Sequence, residues 1–471
     1  MYNNSLSKSE SLLAKGIVLI FSANVINAFF NAVTNFLLPK YLSIDAYSQV
    51  KSYYLYLSYV GILHLGYSDG VYLRYGGKKV GDISTSEIKK DISTMRIFQT
   101  AVSLMAIVIS CFLHDVPLLM CSLTILPYNM AYFYRYLYQA VGEFKEYSKI
   151  MNYTAIGTFA ANSILLLLQI NDIFLPYLCA YVIVNVLIWL ILELSIYHKL
   201  DDSISSSKYF DFAVLVKNVK SGFLLMLGTF SSIVLTGMDR WFIKALMDNS
   251  AFAFYSFAVS IEGLLNIAVT PVTTTLYNYF CNHRNEEDKR YIKSYIIILI
   301  SIIIASCFLV KIVIDSFIPK YRNSITVLCI LFAAQIFFIY LKSIYVNLYK
   351  AEKRQNIYFK NLVIVIAAGA LLNYAMYSIN PVKEAFAIGT LLSAMLWYII
   401  SMFDLRDKQT DVKNSISLLL LTAVFLFCGI KMSAVYGIVI YVFTACLIIC
   451  SFHRNAAIKL YYLAKSMIKH N

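Results

Sequence analysis

The 471-residue sequence is poor in charged side chains, which make up only 14% of its residues. Soluble domains carry about 25% charged residues, and this chain has too few to cover a water-exposed surface. Hydrophobic residues make up 60% of the chain. These proportions argue against a soluble nucleic-acid-binding protein, a disordered chain and a secreted disulfide scaffold. They are typical of a protein that crosses a membrane many times.

The sequence also lacks the motifs of common catalytic and metal-binding sites. Its nine cysteines show no C-x-x-C or Cys/His spacing, so we interpret them as small buried hydrophobic side chains. Neither a G-x-x-x-x-G-K-[ST] loop nor an H-E-x-x-H pair is present. The six histidines are scattered and form no nucleophilic constellation. We therefore predict no catalytic residue, no metal and no cofactor, and a transporter is favoured over an enzyme.

Long apolar runs fill most of the chain. A helix needs about 20 apolar residues to cross the hydrocarbon core of a bilayer. The runs predict an all-α, polytopic membrane protein with about fourteen transmembrane helices. The predicted spans are 12–38, 47–73, 93–113, 116–141, 150–170, 173–197, 218–246, 251–280, 291–314, 325–349, 357–378, 382–403, 415–430 and 434–452.

The longest polar connection between spans divides the chain. Residues 199–217 are rich in Ser, Asp and Lys and are predicted to form a cytoplasmic linker. This linker follows an N-terminal six-helix lobe at 1–198 and precedes a C-terminal six-helix lobe at 218–403. Residues 404–471 are predicted to form a C-terminal helix pair and a basic tail. Both lobes begin on the same side of the membrane, as a parallel internal repeat requires. Whether the last pair is two spans or one re-entrant hairpin stays open at this stage.

Lysine and arginine are distributed unevenly among the connections. Of the 40 Lys and Arg residues, 29 fall on the side of the N-terminus, 6 fall on the opposite side, and 5 lie within spans. Because positively charged loops stay in the cytoplasm, this bias predicts that both termini are cytoplasmic. Membrane topology thereby accounts for the net charge of +14. We therefore predict no nucleic-acid partner.

Polar residues inside the predicted spans are arranged on single helical faces. The second span carries such a stripe that includes His64, and the eighth carries one that includes Glu262 and Asn266. Polar residues within a span are costly unless they face protein or water, so the stripes predict a shared polar cavity. Hydrogen bonding between helices without solvent is the alternative. At about 100° per residue, four asparagines of the first span share an arc of about 80°: Asn24, Asn27, Asn31 and Asn35.

Charged residues within the spans are mostly positive. Arg135 lies toward the inner end of the fourth span, and Arg240 follows Asp239 in the outer half of the seventh. Guanidinium groups bind phosphate in a bidentate fork, so both arginines are predicted to contact a phosphate-bearing substrate. Asp239 and Glu262 are predicted to set the charge balance. Arg74, at the inner end of the second span, is predicted either to attract the substrate headgroup or to anchor the helix end.

Two segments resemble a known family of membrane proteins. The first is FLLPKYLSIDAYSQVKSYYLYLSYVGILHLGYSDGVYLRYGGKKV at residues 36–80, and the second is GMDRWFIKALMDNSAFAFYSFA at 237–258. Both resemble polysaccharide flippases of the multidrug/oligosaccharidyl-lipid/polysaccharide exporter superfamily, in particular the O-antigen flippases of bacteria. Many of these flippases have twelve spans, so the additional pair predicted here departs from the pattern.

The resemblance implies two six-helix lobes that face a central cavity and open alternately to the two sides of the bacterial cytoplasmic (inner) membrane. It implies movement of an undecaprenyl-diphosphate-linked oligosaccharide between the leaflets, driven by an ion gradient or the membrane potential. The implied partners are this oligosaccharide and membrane lipids, and an O-antigen polymerase and a chain-length regulator are further candidates. Two alternatives remain open: a membrane-embedded O-antigen polymerase or transferase, and a cation-coupled small-molecule exporter of the same superfamily.

Overall fold

A computed structural model of the chain describes residues 8–78, 80–199, 210–282, 286–405 and 408–469. Within these ranges the chain is helical and contains no strand, which confirms the predicted all-α class. Part of the predicted linker, 200–209, lies outside the described residues, as do both ends of the chain. The cytoplasmic location of the termini stays a prediction.

Thirteen helical stretches of the described chain are long and apolar enough to cross a membrane. They confirm the prediction of a multi-pass membrane protein. The predicted C-terminal pair forms two separate helices, and their apolar stretches are Val412–Lys431 and Ala434–Phe452. Among the fourteen predicted spans, the second is not such a stretch, because its helix is broken in the middle.

The chain divides into two compact units between Ile233 and Val234. This boundary falls within a helix, so the first unit contains seven complete α-helices and the beginning of an eighth. They are α1 (Lys8–Tyr41), α2 (Ile44–Val60), α3 (Tyr67–Tyr75), α4 (Thr85–Leu113), α5 (Val116–Ala140), α6 (Phe144–Leu167), α7 (Leu175–Lys199) and α8 (Phe212–Leu246).

The second unit contains the end of α8 and ten further α-helices within the described residues. Two of its spans include irregular turns, a 3-10 turn at Gly263–Leu265 and a π-helical turn at Leu341–Tyr345. The helices are α9 (Asn249–Glu262), α10 (Asn266–Asn282), α11 (Glu286–Phe317), α12 (Ile325–Tyr340), α13 (Val346–Ala351), α14 (Gln355–Ile379), α15 (Lys383–Leu405), α16 (Lys408–Lys431), α17 (Ala434–Phe452) and α18 (Arg454–Lys469).

The second predicted span, 47–73, consists of two helices rather than one. The side chain of Ser43 caps α2 by accepting a hydrogen bond from the backbone N–H of Ala46 at 3.3 Å. After Val60 the chain makes a 3-10 turn, and Leu65 and Gly66 then adopt left-handed conformations with φ of 49° and 82°. Such residues end a helical hydrogen-bond ladder. The span is therefore interrupted near its middle, and α3 begins at Tyr67.

Glycines allow α3 to pack directly against the backbone of α8. A Cβ atom on Gly70 would lie 2.0 Å from the carbonyl oxygen of Asn218. A Cβ atom on Gly222 would lie 2.1 Å from the carbonyl oxygen of Gly66. Such distances are far below van der Waals contact, so side chains at these positions would force the two backbones apart. Small residues at a spacing of four commonly bring membrane helices this close, which explains Gly66 and Gly70 in the motif.

We expect Gly222→Ala to destabilise the first unit, because the added methyl group meets backbone atoms that cannot rotate away. The expected cost is about 3 kcal/mol, the upper end of the usual range for over-packing. Gly228→Ala is the matched control, since it lies in the same helix and its Cβ would meet no atom within 4 Å. The melting temperatures of the purified proteins in detergent provide the measurement. Equal melting temperatures for the two variants would contradict the packing described here.

Candidate functional site

The break in the second span borders a cavity within the first unit. The cavity has a volume of about 180 Å³. Its polar wall is formed by His64, Asp69 and Tyr132, and Phe230 and Ile233 of α8 contribute apolar surface. His64 and Asp69 reach this cavity from either side of the break, because the left-handed turn at Leu65 and Gly66 separates their two helical segments.

His64 and Asp69 face each other across this break. The Nε2 atom of His64 lies 3.8 Å from Oδ2 of Asp69, and both side chains are buried. The backbone N–H of Gly66 donates to His64 Nδ1 at 3.0 Å. This hydrogen bond assigns the proton of the neutral imidazole to Nε2, on the side of Asp69. A small movement would turn the 3.8 Å contact into a hydrogen bond from the imidazole N–H to the carboxylate.

Aromatic rings connect His64 to Arg135. The His64 ring stacks on Tyr132 with a centroid distance of 5.3 Å, and Tyr132 stacks on Tyr136 at 4.5 Å. The Tyr132 hydroxyl donates to the Tyr136 hydroxyl at 2.7 Å. The guanidinium carbon of Arg135 lies 4.7 Å from the centre of the Tyr132 ring, within the range of a cation–π interaction. The structure therefore brings together two predicted site residues through tyrosines that sequence analysis did not single out.

Arg74 belongs to a different cluster, centred on Asp91 of α4. Arg74 forms an ion pair with the Asp91 carboxylate, and the Tyr75 hydroxyl donates to it at 2.5 Å. Asn218 of α8 donates to the same carboxylate at 3.3 Å, and the Tyr67 hydroxyl donates to the Asp91 backbone carbonyl at 3.0 Å. The guanidinium of Arg74 is thus engaged in joining α3, α4 and α8.

A second cluster of the first unit surrounds the partly buried carboxylate of Glu193 in α7. Arg96 forms an ion pair with Glu193. The Tyr134 hydroxyl and the Trp189 indole N–H donate to the same carboxylate oxygen at 2.7 and 2.9 Å. The carboxylate therefore has three partners, and the cluster joins α4, α5 and α7.

The four asparagines of α1 have different environments. Asn27 donates to the backbone carbonyl of Met151 in α6 at 3.2 Å. Asn35 accepts a hydrogen bond from Lys51 of α2 at 3.4 Å. Asn24 and Asn31 are exposed. Two members of the predicted stripe thus bind neighbouring helices, and two present their amides to the surroundings of the unit.

In the second unit, Asp239 is stabilised by neutral donors. The Tyr255 hydroxyl donates to Asp239 Oδ2 at 2.6 Å, and the Thr390 hydroxyl donates to the same oxygen at 3.2 Å. The backbone N–H of Arg240 donates to Oδ1 at 2.7 Å. The Arg240 side chain is half-buried and forms no ion pair with a carboxylate of the described chain, and its buried Nε has no hydrogen-bond partner there.

Glu262 lies where α9 gives way to the 3-10 turn at Gly263–Leu265. The Gln335 side chain donates a hydrogen bond to its carboxylate. Lys342, Asp239 and Arg240 lie near enough to Glu262 to interact with it electrostatically, so three predicted site residues belong to one region of the second unit. Lys342 was not among the predicted site residues.

The residues around Glu262 lie at irregular parts of their helices. Lys342 lies in the π-helical turn at Leu341–Tyr345, and such turns are frequent at functional sites. Asn266 opens α10, is exposed, and donates to the carbonyl of Gly263 at 3.1 Å. The polar groups of the eighth span therefore surround its irregular turn, as His64 and Asp69 surround the break in the second.

The described residues contain no group of three or more His, Cys, Asp or Glu side chains placed to hold a metal ion. All nine cysteines are free thiols, and four of them are buried.

Comparisons with known proteins reveal a shared fold. No family model matches the chain, and no curated protein does. A structure of the lipid II flippase MurJ in an inward closed conformation is similar, with a TM-score of 0.66 and 14% sequence identity. The match covers 94% of this chain and 99% of the MurJ chain. A MATE protein in complex with Br-NRF has a TM-score of 0.41 and 12% sequence identity. That match covers 86% of this chain and 96% of the MATE chain. The MATE multidrug transporter DinF-BH has a TM-score of 0.43 and 14% identity over 87% of this chain and 98% of its own. The first match confirms, at the level of the fold, the resemblance to flippases found in the sequence.

The contrast between Asp69 and Asp91 yields a prediction about stability. Asp91→Asn leaves Arg74 without its charged partner, and breaking a buried ion pair costs about 3–5 kcal/mol. Asp69 accepts no hydrogen bond from a side chain of the described chain, so we expect Asp69→Asn to leave the melting temperature unchanged or raised. Residues kept for function at the expense of stability behave in this way. If both variants melt equally far below the natural protein, Asp69 has a structural role like that of Asp91.

Proposed function

We propose that this protein is a flippase, and not an enzyme, that moves undecaprenyl-diphosphate-linked repeat units of an O-antigen or a similar polysaccharide. It would carry them from the inner to the outer leaflet of the bacterial cytoplasmic membrane. The observation that carries the proposal is the fold shared with a lipid II flippase over 94% of this chain and 99% of the other. The motif at residues 36–80 supports the class of substrate, because it resembles O-antigen flippases.

The pairing of the arginines supports a role in binding phosphate. Arg74, Arg96 and Arg354 form ion pairs with carboxylates. Arg135 and Arg240 form none with the described carboxylates, and both side chains are half-buried. A guanidinium in a membrane without a carboxylate partner is costly unless it meets water or an anion. The diphosphate of the substrate is an anion of suitable geometry, and each unit offers one such arginine.

The interrupted spans supply places where each unit can change shape. Helix termini absorb backbone rotation more readily than helix interiors, and the second and eighth spans both have termini near their middle. In this proposal the His64–Asp69 pair couples that change to proton movement in the first unit. The buried carboxylate and the imidazole can share one proton, and a change of charge there would alter which conformation is favoured.

The experiment is deletion of the gene in the bacterium that encodes it. We expect O-antigen to disappear from the cell surface while lipid-linked units accumulate on the cytoplasmic side, since their synthesis does not require the flippase. Electrophoresis of lipopolysaccharide and extraction of lipid-linked oligosaccharide provide the two measurements. Intact O-antigen display in a strain with no second flippase would refute the proposal, and increased sensitivity to small molecules in that strain would instead favour an exporter.

Complementation of this strain tests the two arginines. We expect Arg135→Ala and Arg240→Ala to reduce O-antigen display at least tenfold at equal protein abundance, whereas Arg→Lys retains part of it because the charge remains. Arg322→Ala is the matched control, since Arg322 is exposed and paired with Asp315. Normal display with alanine at both positions would show that these arginines lie outside the substrate path.

A further inference from the structure

A second polar cavity lies in the second unit, where α11, α16, α17 and α18 pack together. Its volume is about 440 Å³. Three of the charged residues that line it are cations, Arg290, Lys413 and Arg454, and the fourth is Glu287. All four are exposed. The cavity therefore has an excess of positive charge and is open to a ligand from outside.

The three cations outnumber the one carboxylate of the cavity, Glu287, and are not paired with it. None of them forms an ion pair or a hydrogen bond with a described side chain. Like charges that converge on one cavity repel each other, and a bound anion removes that repulsion. Ser294 and Asn414 line the same cavity and add hydroxyl and amide groups that can bind the oxygens of such an anion.

The floor of this cavity is formed by His453, the residue between α17 and α18. Its ring nitrogens lie 3.0 Å from the Ser294 hydroxyl and 2.9 Å from the Ser417 hydroxyl, so it ties α11 and α16 to this junction. Burial and the nearby charge of Lys413 lower the pKa of His453 to about 4. The imidazole is therefore neutral at cellular pH and fixes the shape of the cavity without adding to its charge.

The helix that borders the cavity has the pattern of a helix that lies at a membrane surface. At about 100° per residue, Arg454, Lys459 and Lys465 fall within an arc of about 140° on α18. Ala456, Ala457, Leu460 and Tyr461 occupy the opposite arc, while the exposed Ile458 and Tyr462 lie on the basic side. Amphipathic helices with basic polar faces lie in the headgroup region of a bilayer.

The position of α18 in the chain agrees with this pattern. Only His453 separates α18 from the apolar stretch Ala434–Phe452, so α18 begins where the preceding span ends. The cavity is therefore at the level of the membrane surface. The loop charges predict that this is the cytoplasmic surface, because Arg290, Lys413 and Arg454 all belong to the basic side of the chain.

We propose that this cavity binds the phosphate group of an anionic phospholipid of the surrounding bilayer, with Arg290, Lys413 and Arg454 as its ligands. Basic pockets between helices at the cytoplasmic surface bind such headgroups, and α18 would pack beside the acyl chains. This lipid is distinct from the transported oligosaccharide. Its binding would hold α18 against α11 and α17 and would stabilise the second unit.

Titration of the purified full-length protein in a neutral detergent tests the proposal. The probes are dioctanoyl phosphatidylglycerol, dioctanoyl phosphatidylcholine and soluble glycerol 3-phosphate, and the readout is the melting temperature. We expect only phosphatidylglycerol to raise it in a saturable manner. The variant with Arg290→Gln, Lys413→Gln and Arg454→Gln should bind it at least about tenfold more weakly, because three phosphate-binding charges are lost.

The matched control carries Lys350→Gln, Lys353→Gln and Lys360→Gln, which removes the same charge from exposed positions outside the cavity. This control should bind phosphatidylglycerol as the natural protein does. Equal saturation by glycerol 3-phosphate would show that the ligand is a soluble phosphate and would overturn the lipid site. Equal binding by the cavity variant and the control would overturn it as well. If the cavity variant does not fold, Arg454→Gln alone replaces it, and unchanged affinity in that variant contradicts the proposal.

Discussion

A carboxylate removed from water needs either a cation or several hydrogen-bond donors, and this requirement organises both units. In the first unit, Asp91 and Glu193 each receive an arginine and further donors from neighbouring helices. In the second, Asp404 binds Arg354 at 3.1 Å, the Tyr349 hydroxyl at 2.7 Å and the Asn361 amide at 3.2 Å. Each cluster joins three helices, so these carboxylates fix the packing of an otherwise apolar protein.

A few polar groups depart from this rule, and they are the groups to which we assign function. Asp69 has only the neutral imidazole of His64 nearby, at 3.8 Å, and Arg135 rests on a tyrosine ring rather than on a carboxylate. Arg240 forms no ion pair with a carboxylate of the described chain. Natural proteins tolerate poorly satisfied polar groups mainly where a ligand, an ion or a change of conformation will satisfy them.

The sequence predicts much of the fold, because span length and apolar content alone identify nearly every membrane helix. It does not predict the break at residues 61–66, since GILHLG is apolar enough to continue a span. Periodicity places Asn27 and Asn35 on one face but cannot distinguish a face that binds other helices from one that meets water. Arg135 and His64 stand out as polar residues within spans, but Tyr132, which joins them, does not. Partners such as Asp91 for Arg74 depend on tertiary packing.

We propose that this protein moves a lipid-linked diphosphate sugar across a bilayer. The most direct measurement uses proteoliposomes that contain the purified protein and a short undecaprenyl-diphosphate-linked oligosaccharide, with an ion gradient imposed in either direction. A membrane-impermeant glycosidase added outside reports how much of the sugar becomes accessible. We predict that the glycosidase cleaves nearly all of the oligosaccharide when the protein is present. In protein-free liposomes it should cleave only the oligosaccharide in the outer leaflet, the outer-leaflet share. If the accessible fraction in liposomes with folded protein also stays at the outer-leaflet share under every gradient, the protein does not have this activity.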